Sequence, residues 1–401
     1  MNSSPNATRL HVAIYGCRNS GKSSLINAIT GEETSIVSPI AGTTTDTVAR
    51  SMELHGIGAV LFIDTPGFDD SGEIGGMRVE RTRRTTQRTD IAFLLCNSVD
   101  LKYEREWLKE LRASSVPVVP IISKIDARED LGTLAQEVEK LFGESPILLS
   151  VKDGVDIDVI REAILGKLDP NATERKITAG LVEKGDVVVL VMPQDPQAPK
   201  GRIILPQVQT LRELLDIGAI AISCTTEALE ATLKTLSAQP KLIITDSQAF
   251  REVYAHKPPL TLLSSFSILM AAYKGDIVAL SEGAQAIELL TPQSKVLIAE
   301  ACAHAPMAED IGRVKLPRML RQRVGEELTI DIVSGRNFPE DLSSYSLIIH
   351  CGACMFNRKY MMHRIEKAKA AAIPITNYGV VIAYIQGLDL STLSSQLSIS
   401  K

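Results

Sequence analysis

Two patterns of apolar positions alternate along the chain. Short, almost unbroken apolar runs rich in β-branched residues predict strands buried on both faces, as in parallel sheets. LHVAIYG (10–16), VLFIDTPG (60–67) and VPIISKID (119–126) are of this kind in the first third. VVVLVMP (187–193), AIAISC (219–224), KLIIT (241–245) and LTLLSS (260–265) follow in the middle. KVLIAE (295–300), LTIDIVSG (328–335) and SLIIH (346–350) come last. Stretches with apolar positions three or four apart lie between them and predict helices: LINAIT after the first strand, then VQTLRELLDI (208–217), EALEATLKTL (227–236) and NRKYMMHRIEKAKAAA (357–372). Strands alternating with helices give an α/β protein built on parallel sheets. Pro170 and the polar cluster of KLDPNATERKIT (167–178) break the rhythm and read as a linker. The expected organisation is one domain over 1–170, a small parallel-sheet α/β domain over 179–265 and a second over 266–401.

Composition narrows the class without naming a function. The chain has 401 residues, 45% hydrophobic and 23% charged, and a formal net charge of −5. That balance gives no general attraction to nucleic acid or anionic lipid. No apolar stretch approaches the ~18 residues of a membrane span, and MNSSPNATRL lacks a targeting pattern. A cytoplasmic protein with no nucleic-acid or membrane partner is the expectation. The basic runs RVERTRRTTQR (78–88) and RVKLPRMLRQR (313–323) read as solvated helix faces. Of six cysteines, Cys17, Cys96 and Cys224 sit in or beside apolar runs and read as packing residues.

The first third carries a phosphate-binding signature. GCRNSGKSS (16–24) is G-x-x-x-x-G-K-S between a predicted strand and a predicted helix. Backbone N–H groups across Asn19, Ser20, Gly21, Lys22, Ser23 and Ser24 can cradle phosphate at a helix N-terminus. Lys22 adds a point charge at the terminal phosphates, and Ser23 offers a hydroxyl to Mg²⁺. GTTTD (42–46) supplies Thr43 and Thr44 to close over the γ-phosphate and metal. Asp64 suits Mg²⁺ held through water, and Gly67 can approach the γ-phosphate. Lys124 and Asp126 of S-K-x-D suit guanine, and Ser150 of ILLSVKDG (147–154) a loop beside the base. Lys22, Thr44, Asp64 and Gly67 are the expected catalytic set of a P-loop GTPase domain that uses GTP and Mg²⁺.

GCRNSGKSSLINAI, GTTTD and DTPG resemble the TrmE–Era branch of translation-factor-type GTPases over residues 9 to 168. The resemblance implies a potassium ion held by Asn19, with K⁺ neutralising charge where Phe68 replaces a water-orienting glutamine. Two positions depart from the pattern, Ser123 where Asn is usual and Val151 where Ala is usual. They imply weaker or faster-exchanging nucleotide, with guanine selection kept by Asp126.

The middle third shows no catalytic constellation; DPQAPKGRIILP (195–206) and Asp246 read as turn and cap. Its apolar character suits self-association. The last third is different. One strand ends in Cys302-Ala303-His304, and another ends in His350-Cys351 with Cys354 three residues on. Ligands gather at the carboxyl ends of strands in parallel sheets, so the two ends belong at one sheet edge. Three cysteines and a histidine complete a zinc tetrahedron. C-x-x-C plus a third cysteine equally suits a 4Fe–4S cluster with one iron lacking thiolate. The residues leave both open.

C-x-H, 45 intervening residues and H-C-x-x-C, behind this GTPase signature, resemble the FeFe-hydrogenase maturation GTPases of the HydF type along the whole chain. That resemblance implies a 4Fe–4S cluster on Cys302, Cys351 and Cys354. It leaves His304, His350 and Glu309 as candidates for a fourth ligand or for an outer supporting role. It further implies a homodimer, a transient diiron precursor bearing CO and cyanide, two radical-SAM maturases as suppliers and apo FeFe-hydrogenase as recipient. The alternative is an RNA- or ribosome-associated GTPase with structural zinc.

Overall fold

The computed structural model describes residues 6–31, 48–67, 73–169, 175–193, 203–301, 310–335 and 337–387. GTTTD, Phe68, most of DPQAPKGRIILP, Cys302, His304 and Glu309 lie outside them. Two compact units are present, residues 1–173 and 174–401.

The first unit is a six-stranded sheet in the order β2-β3-β1-β4-β5-β6. Its strands are β1 (Leu10–Gly16), β2 (Ala49–Leu54), β3 (Gly58–Asp64), β4 (Ile91–Leu95), β5 (Val118–Ser123) and β6 (Ile147–Leu149). Only the β2–β3 pair is antiparallel. Alternate residues of β1 feed opposite cores, as the pleat requires. Val12 and Ile14 pack with Leu25, Ile26, Ile160 and Ile164 on one face, and Ala13 and Tyr15 with Trp107, Leu108 and Leu134 on the other.

The second unit holds two four-stranded parallel sheets. One has the order β10-β9-β7-β8, from β7 (Val187–Val191), β8 (Ile220–Cys224), β9 (Leu242–Thr245) and β10 (Leu262–Ser265). The other has the order β12-β11-β13-β14, from β11 (Lys295–Glu300), β12 (Thr329–Ser334), β13 (Leu347–His350) and β14 (Ile375–Asn377). One apolar cluster joins the sheets, with Leu190 and Ile244 from the first, Leu297 and Ile348 from the second, and Leu269 of the helix Phe266–Lys274 between them. The α/β class with a first domain and two smaller parallel sheets is thus the observed architecture.

Some local expectations need correction. The end of the predicted linker already belongs to the second unit: Ile177 and Thr178 are buried, and both backbone N–H groups donate to Glu213. Cys96 is buried, but Cys17 and Cys224 are only half-buried, at the mouth of the first loop and the end of an edge strand. Arg313, read as part of a solvated face, instead reaches the buried Glu300, with Nη2 2.9 Å from Oε2. Asp246 stands at the N-cap of the short turn Ser247–Ala249, as read, but caps through its backbone carbonyl, while its carboxylate accepts from Gln207 Nε2 at 3.2 Å.

Two glycines set how closely the second unit packs. A Cβ at Gly283, in the helix Ile277–Gln285, would lie 2.0 Å from the Ile375 carbonyl oxygen of β14. One at Gly379 would lie 2.3 Å from Ser267 Oγ. Only the missing side chain permits either approach. Gly283→Ala is therefore expected to destabilise the second unit by about 3 kcal/mol. Gly132→Ala, where nothing lies within 4 Å, should slightly stabilise the first unit. Thermal unfolding of both variants checks this, and an unshifted second-unit transition in Gly283→Ala would contradict the packing.

Candidate nucleotide site and candidate metal centre

The first candidate site forms where β1 ends and the helix Lys22–Thr30 begins. Gly16 admits no side chain, since a Cβ there would meet Ser20 Oγ at 2.7 Å and Leu95 Cβ at 3.0 Å. Asn19 and Gly21 adopt left-handed backbone, with φ of 59° and 94°, which turns the loop back on itself. Lys22 Nζ donates to the Gly16 and Cys17 carbonyls at 3.0 and 2.8 Å, so the loop already holds the ammonium over its own mouth. Ser23 Oγ donates to Asp64 Oδ2. Among the described residues the other carboxylate oxygen, Asp64 Oδ1, is buried without a hydrogen-bond partner, as is Ser20 Oγ. Burial raises the Asp64 carboxyl, and Ser23, Lys22 and Arg50 oppose that shift. A lone buried carboxylate oxygen beside a serine hydroxyl at a helix N-terminus fits a hydrated Mg²⁺ with phosphate.

The base side is assembled from three further strand ends. Lys124, at φ 57°, donates to the Asn19 carbonyl at 2.7 Å. Ser123 Oγ donates to the Ser20 carbonyl at 2.6 Å and lies 3.2 Å from the Asn97 amide oxygen. Where the sequence pattern expects Asn, the serine ties the strand to the phosphate loop, and Asn97 fills space beside it. Ser150 Oγ donates to Asp126 Oδ1 at 3.0 Å and accepts from Asp153 N–H, which orients the acid. Arg128 donates to the Asn97 carbonyl. Asn97 and Arg128 were missed by the motif reading; the only signal was a polar residue directly after the buried run IAFLLC. Thr43 and Thr44 lie outside the described residues.

The second candidate site lies at the carboxyl edge of the last sheet. β11 and β13 are neighbours, with Ala299 opposite His350. Cys351 N–H donates to the Ala299 carbonyl at 2.8 Å, and Cys351 Sγ accepts from Ala301 N–H at 2.9 Å. The thiol therefore touches the residue that precedes Cys302. Ala353 takes a left-handed φ of 51° and bends the loop between Cys351 and Cys354. Among the described residues no three His, Cys, Asp or Glu side chains group closely enough to hold a metal.

His350 does not share the exposure of the cysteine loop. It is fully buried; Nδ1–H donates to the Cys351 carbonyl at 2.8 Å, and Nε2 accepts from Arg364 at 2.6 Å. Burial and the Arg364 charge push its pKa down to about 3. Arg364 is itself buried, bonded to the Gly335 carbonyl at 2.7 Å and flanked by the rings of Phe338, Phe356 and Tyr360. Lys274, also buried, donates to the carbonyls of Ala353, Cys354 and Phe356. Neither cation has a carboxylate in ion-pair reach among the described residues. Buried charge without a counter-charge is costly, so the surroundings of the two cysteines fit an anionic occupant such as a thiolate-bound metal cluster.

Three segments of the chain match known protein families. Residues 177–275 match the Hydrogen maturase F dimerization domain and residues 278–394 the Hydrogen maturase F tetramerization domain, together more than half of the chain. Residues 11–124 match the 50S ribosome-binding GTPase family. The GTPase Der of Wolinella succinogenes is 34% identical over 187 residues, 44% of this chain and 39% of that protein. The tRNA modification GTPase MnmE of Chromobacterium violaceum is 36% identical over 152 residues, 37% of this chain and 33% of that protein. The chain thus spans about a third to two fifths of these relatives. The crystal structure of Aquifex aeolicus Era bound to GDP.AlF4- aligns at 20% identity and a TM-score of 0.36, over 54% of this chain and 92% of that one. No described helix is long and apolar enough to cross a membrane.

Ser123→Ala leaves the Ser20 carbonyl without its buried donor. A loss of about 1–2 kcal/mol in the first unit's stability is expected. Urea unfolding followed by Trp107 fluorescence measures it, and an unchanged midpoint would mean the strand-to-loop bond contributes nothing.

Proposed function

We propose that the chain, which belongs to the hydrogen maturase F family, is a GTP-hydrolysing scaffold for the diiron part of the FeFe-hydrogenase active site. The observation that carries this reading is the Cys351 thiol held 2.9 Å from Ala301 N–H. It brings the H-C-x-x-C end of β13 to the residue before Cys302, within a chain that matches two domains of that family.

In the first unit the chain's own residues bind and orient GTP. The loop Asn19–Ser24 cradles phosphate, and Lys22 exchanges its two carbonyl partners for phosphate oxygens. Ser23, Asp64 and Thr44 hold Mg²⁺, with Gly67 and Thr43 beside the γ-phosphate. Asp126, oriented by Ser150, and Lys124 select guanine. Asn19 holds K⁺, which stands in for the glutamine that Phe68 replaces.

In the last domain Cys302, Cys351 and Cys354 hold a 4Fe–4S cluster. Such a cluster supplies one iron whose remaining position can be exchanged. His350, with both ring nitrogens already engaged, acts behind Cys351 and fixes its carbonyl. His304 and Glu309 remain the candidates for a replaceable fourth ligand. Self-association through residues 177–275 gives a homodimer. Two radical-SAM maturases supply the CO- and cyanide-bearing diiron precursor, and apo FeFe-hydrogenase receives it.

Two measurements test the reading. Protein purified without oxygen should contain about four irons per chain and give a 4Fe–4S EPR signal on reduction. Cys302→Ala should lose both; stoichiometric zinc with no iron after anaerobic reconstitution would instead leave a GTPase with a structural metal. Replacing K⁺ by Na⁺ should slow GTP hydrolysis about tenfold or more, and equal rates in the two salts would remove the role given to Asn19.

A further inference from the structure

We propose that Lys274 is a fixed counter-charge of the cysteine site, with Arg364 behind it, and that Lys274 both shapes the cysteine loop and raises the reduction potential of the cluster held there. The inference rests on the reading that Cys302, Cys351 and Cys354 hold a 4Fe–4S cluster.

Lys274 ends the helix Phe266–Lys274, inside the segment that matches the dimerization domain. The loop it serves lies in the segment matching the tetramerization domain. Its side chain is 3% exposed. Nζ reaches the carbonyl oxygens of Ala353 at 3.3 Å, Cys354 at 3.4 Å and Phe356 at 3.1 Å. An ammonium has three protons, and three convergent carbonyls take them all. These carbonyls cannot face the metal side while they face Lys274, so the loop's N–H groups and thiols are what remain for it.

The clasp is reciprocal. From beyond the loop, Arg358 Nη1 donates to the Tyr273 and Gly275 carbonyls at 3.1 and 2.7 Å, closing the end of the same helix. Loop and helix end are thus tied in both directions.

Charge gives the second half of the inference. Lys274 is buried, and what meets its ammonium is the backbone of the cysteine loop, through the carbonyls of Ala353, Cys354 and Phe356. Arg364 is 1% exposed and donates to the Gly335 carbonyl and the Tyr360 hydroxyl. Carbonyls and aromatic rings solvate these cations but do not neutralise them. Thiolates and a cluster of net negative charge do. A fixed positive charge in a poorly screened interior stabilises the reduced, more negative state of that cluster and so raises its potential.

The experiment compares wild type, Lys274→Met and Lys274→Arg as full-length proteins reconstituted anaerobically with iron and sulfide. Iron content, the circular dichroism melting curve and the midpoint potential from an EPR-monitored redox titration are measured. The inference expects Lys274→Met either to keep iron with a more negative midpoint or to lose iron while keeping its fold, and Lys274→Arg to stay near wild type in either case. An iron-loaded Lys274→Met with an unmoved midpoint would overturn it. So would equal loss of iron in the Met and Arg variants when both melt like wild type. Should Lys274→Met fail to fold, Lys274→Gln is read in the same way. Zinc in place of iron in the wild-type protein overturns the cluster reading and the inference together, whereas iron in the wild type with an indifferent position 274 overturns the inference alone.

Discussion

The pairing of β11 with β13 is the contact on which the last domain depends. Parallel strands bring their carboxyl ends to one edge, and the register that sets Ala299 against His350 brings Cys351 to Ala301. A slip of one residue would send every side chain of β13 to the opposite face. Leu347 and Ile349 would leave one apolar core and Ile348 the other. His350 would leave Arg364. Burial on both faces therefore fixes the register, and the register fixes the place of Cys351 against Ala301, which the chain separates widely.

The two candidate sites solve one electrostatic problem with similar means. Each holds a buried lysine at the carboxyl ends of parallel strands and gives it backbone carbonyls rather than a carboxylate. Lys22 turns to Gly16 and Cys17, and Lys274 to Ala353, Cys354 and Phe356. Carbonyl oxygens satisfy the protons at little charge cost, and they leave the positive charge available to an anion. In the first unit that anion is phosphate; in the last domain the nearest candidate is the loop of Cys351 and Cys354. Asp64 differs because its buried carboxylate oxygen, without a partner among the described residues, suits a cation instead.

Much of this was legible in the sequence, for reasons that differ by element. Strands such as VVVLV and LIIH were plain because burial on both faces leaves continuous apolar runs. The phosphate loop was plain because Gly16, Gly21 and Lys22 have few substitutes in that geometry. The cysteine motif could be read as a metal site, but zinc and iron–sulfur stood level until the resemblance entered. The roles of Lys274, Arg364 and Asn97 were not legible. Each acts across a long sequence separation, and a buried lysine at the end of an apolar helix looks, in sequence, like an ordinary basic residue in a last turn. For His350 the sequence left a ligand role and a supporting role open, and only the fold shows that alternation along β13 sends the imidazole into the core. The antiparallel edge strand β2 was also missed, since ARSMEL is mostly exposed and carries little apolar pattern.

The helix Phe266–Lys274 has a consequence for modularity. By family match it closes the dimerization segment, yet its last residue holds the cysteine loop, and Arg358 of the following segment holds its end. Module exchange that cuts at the family border would pair one protein's loop with another's clasp. A graft of the cysteine-bearing module has to begin at Phe266 or earlier, and sequence change at position 274 is tied to change in the loop rather than to its own domain. The border drawn by matching families is not the border along which this part of the molecule can be inherited or rebuilt.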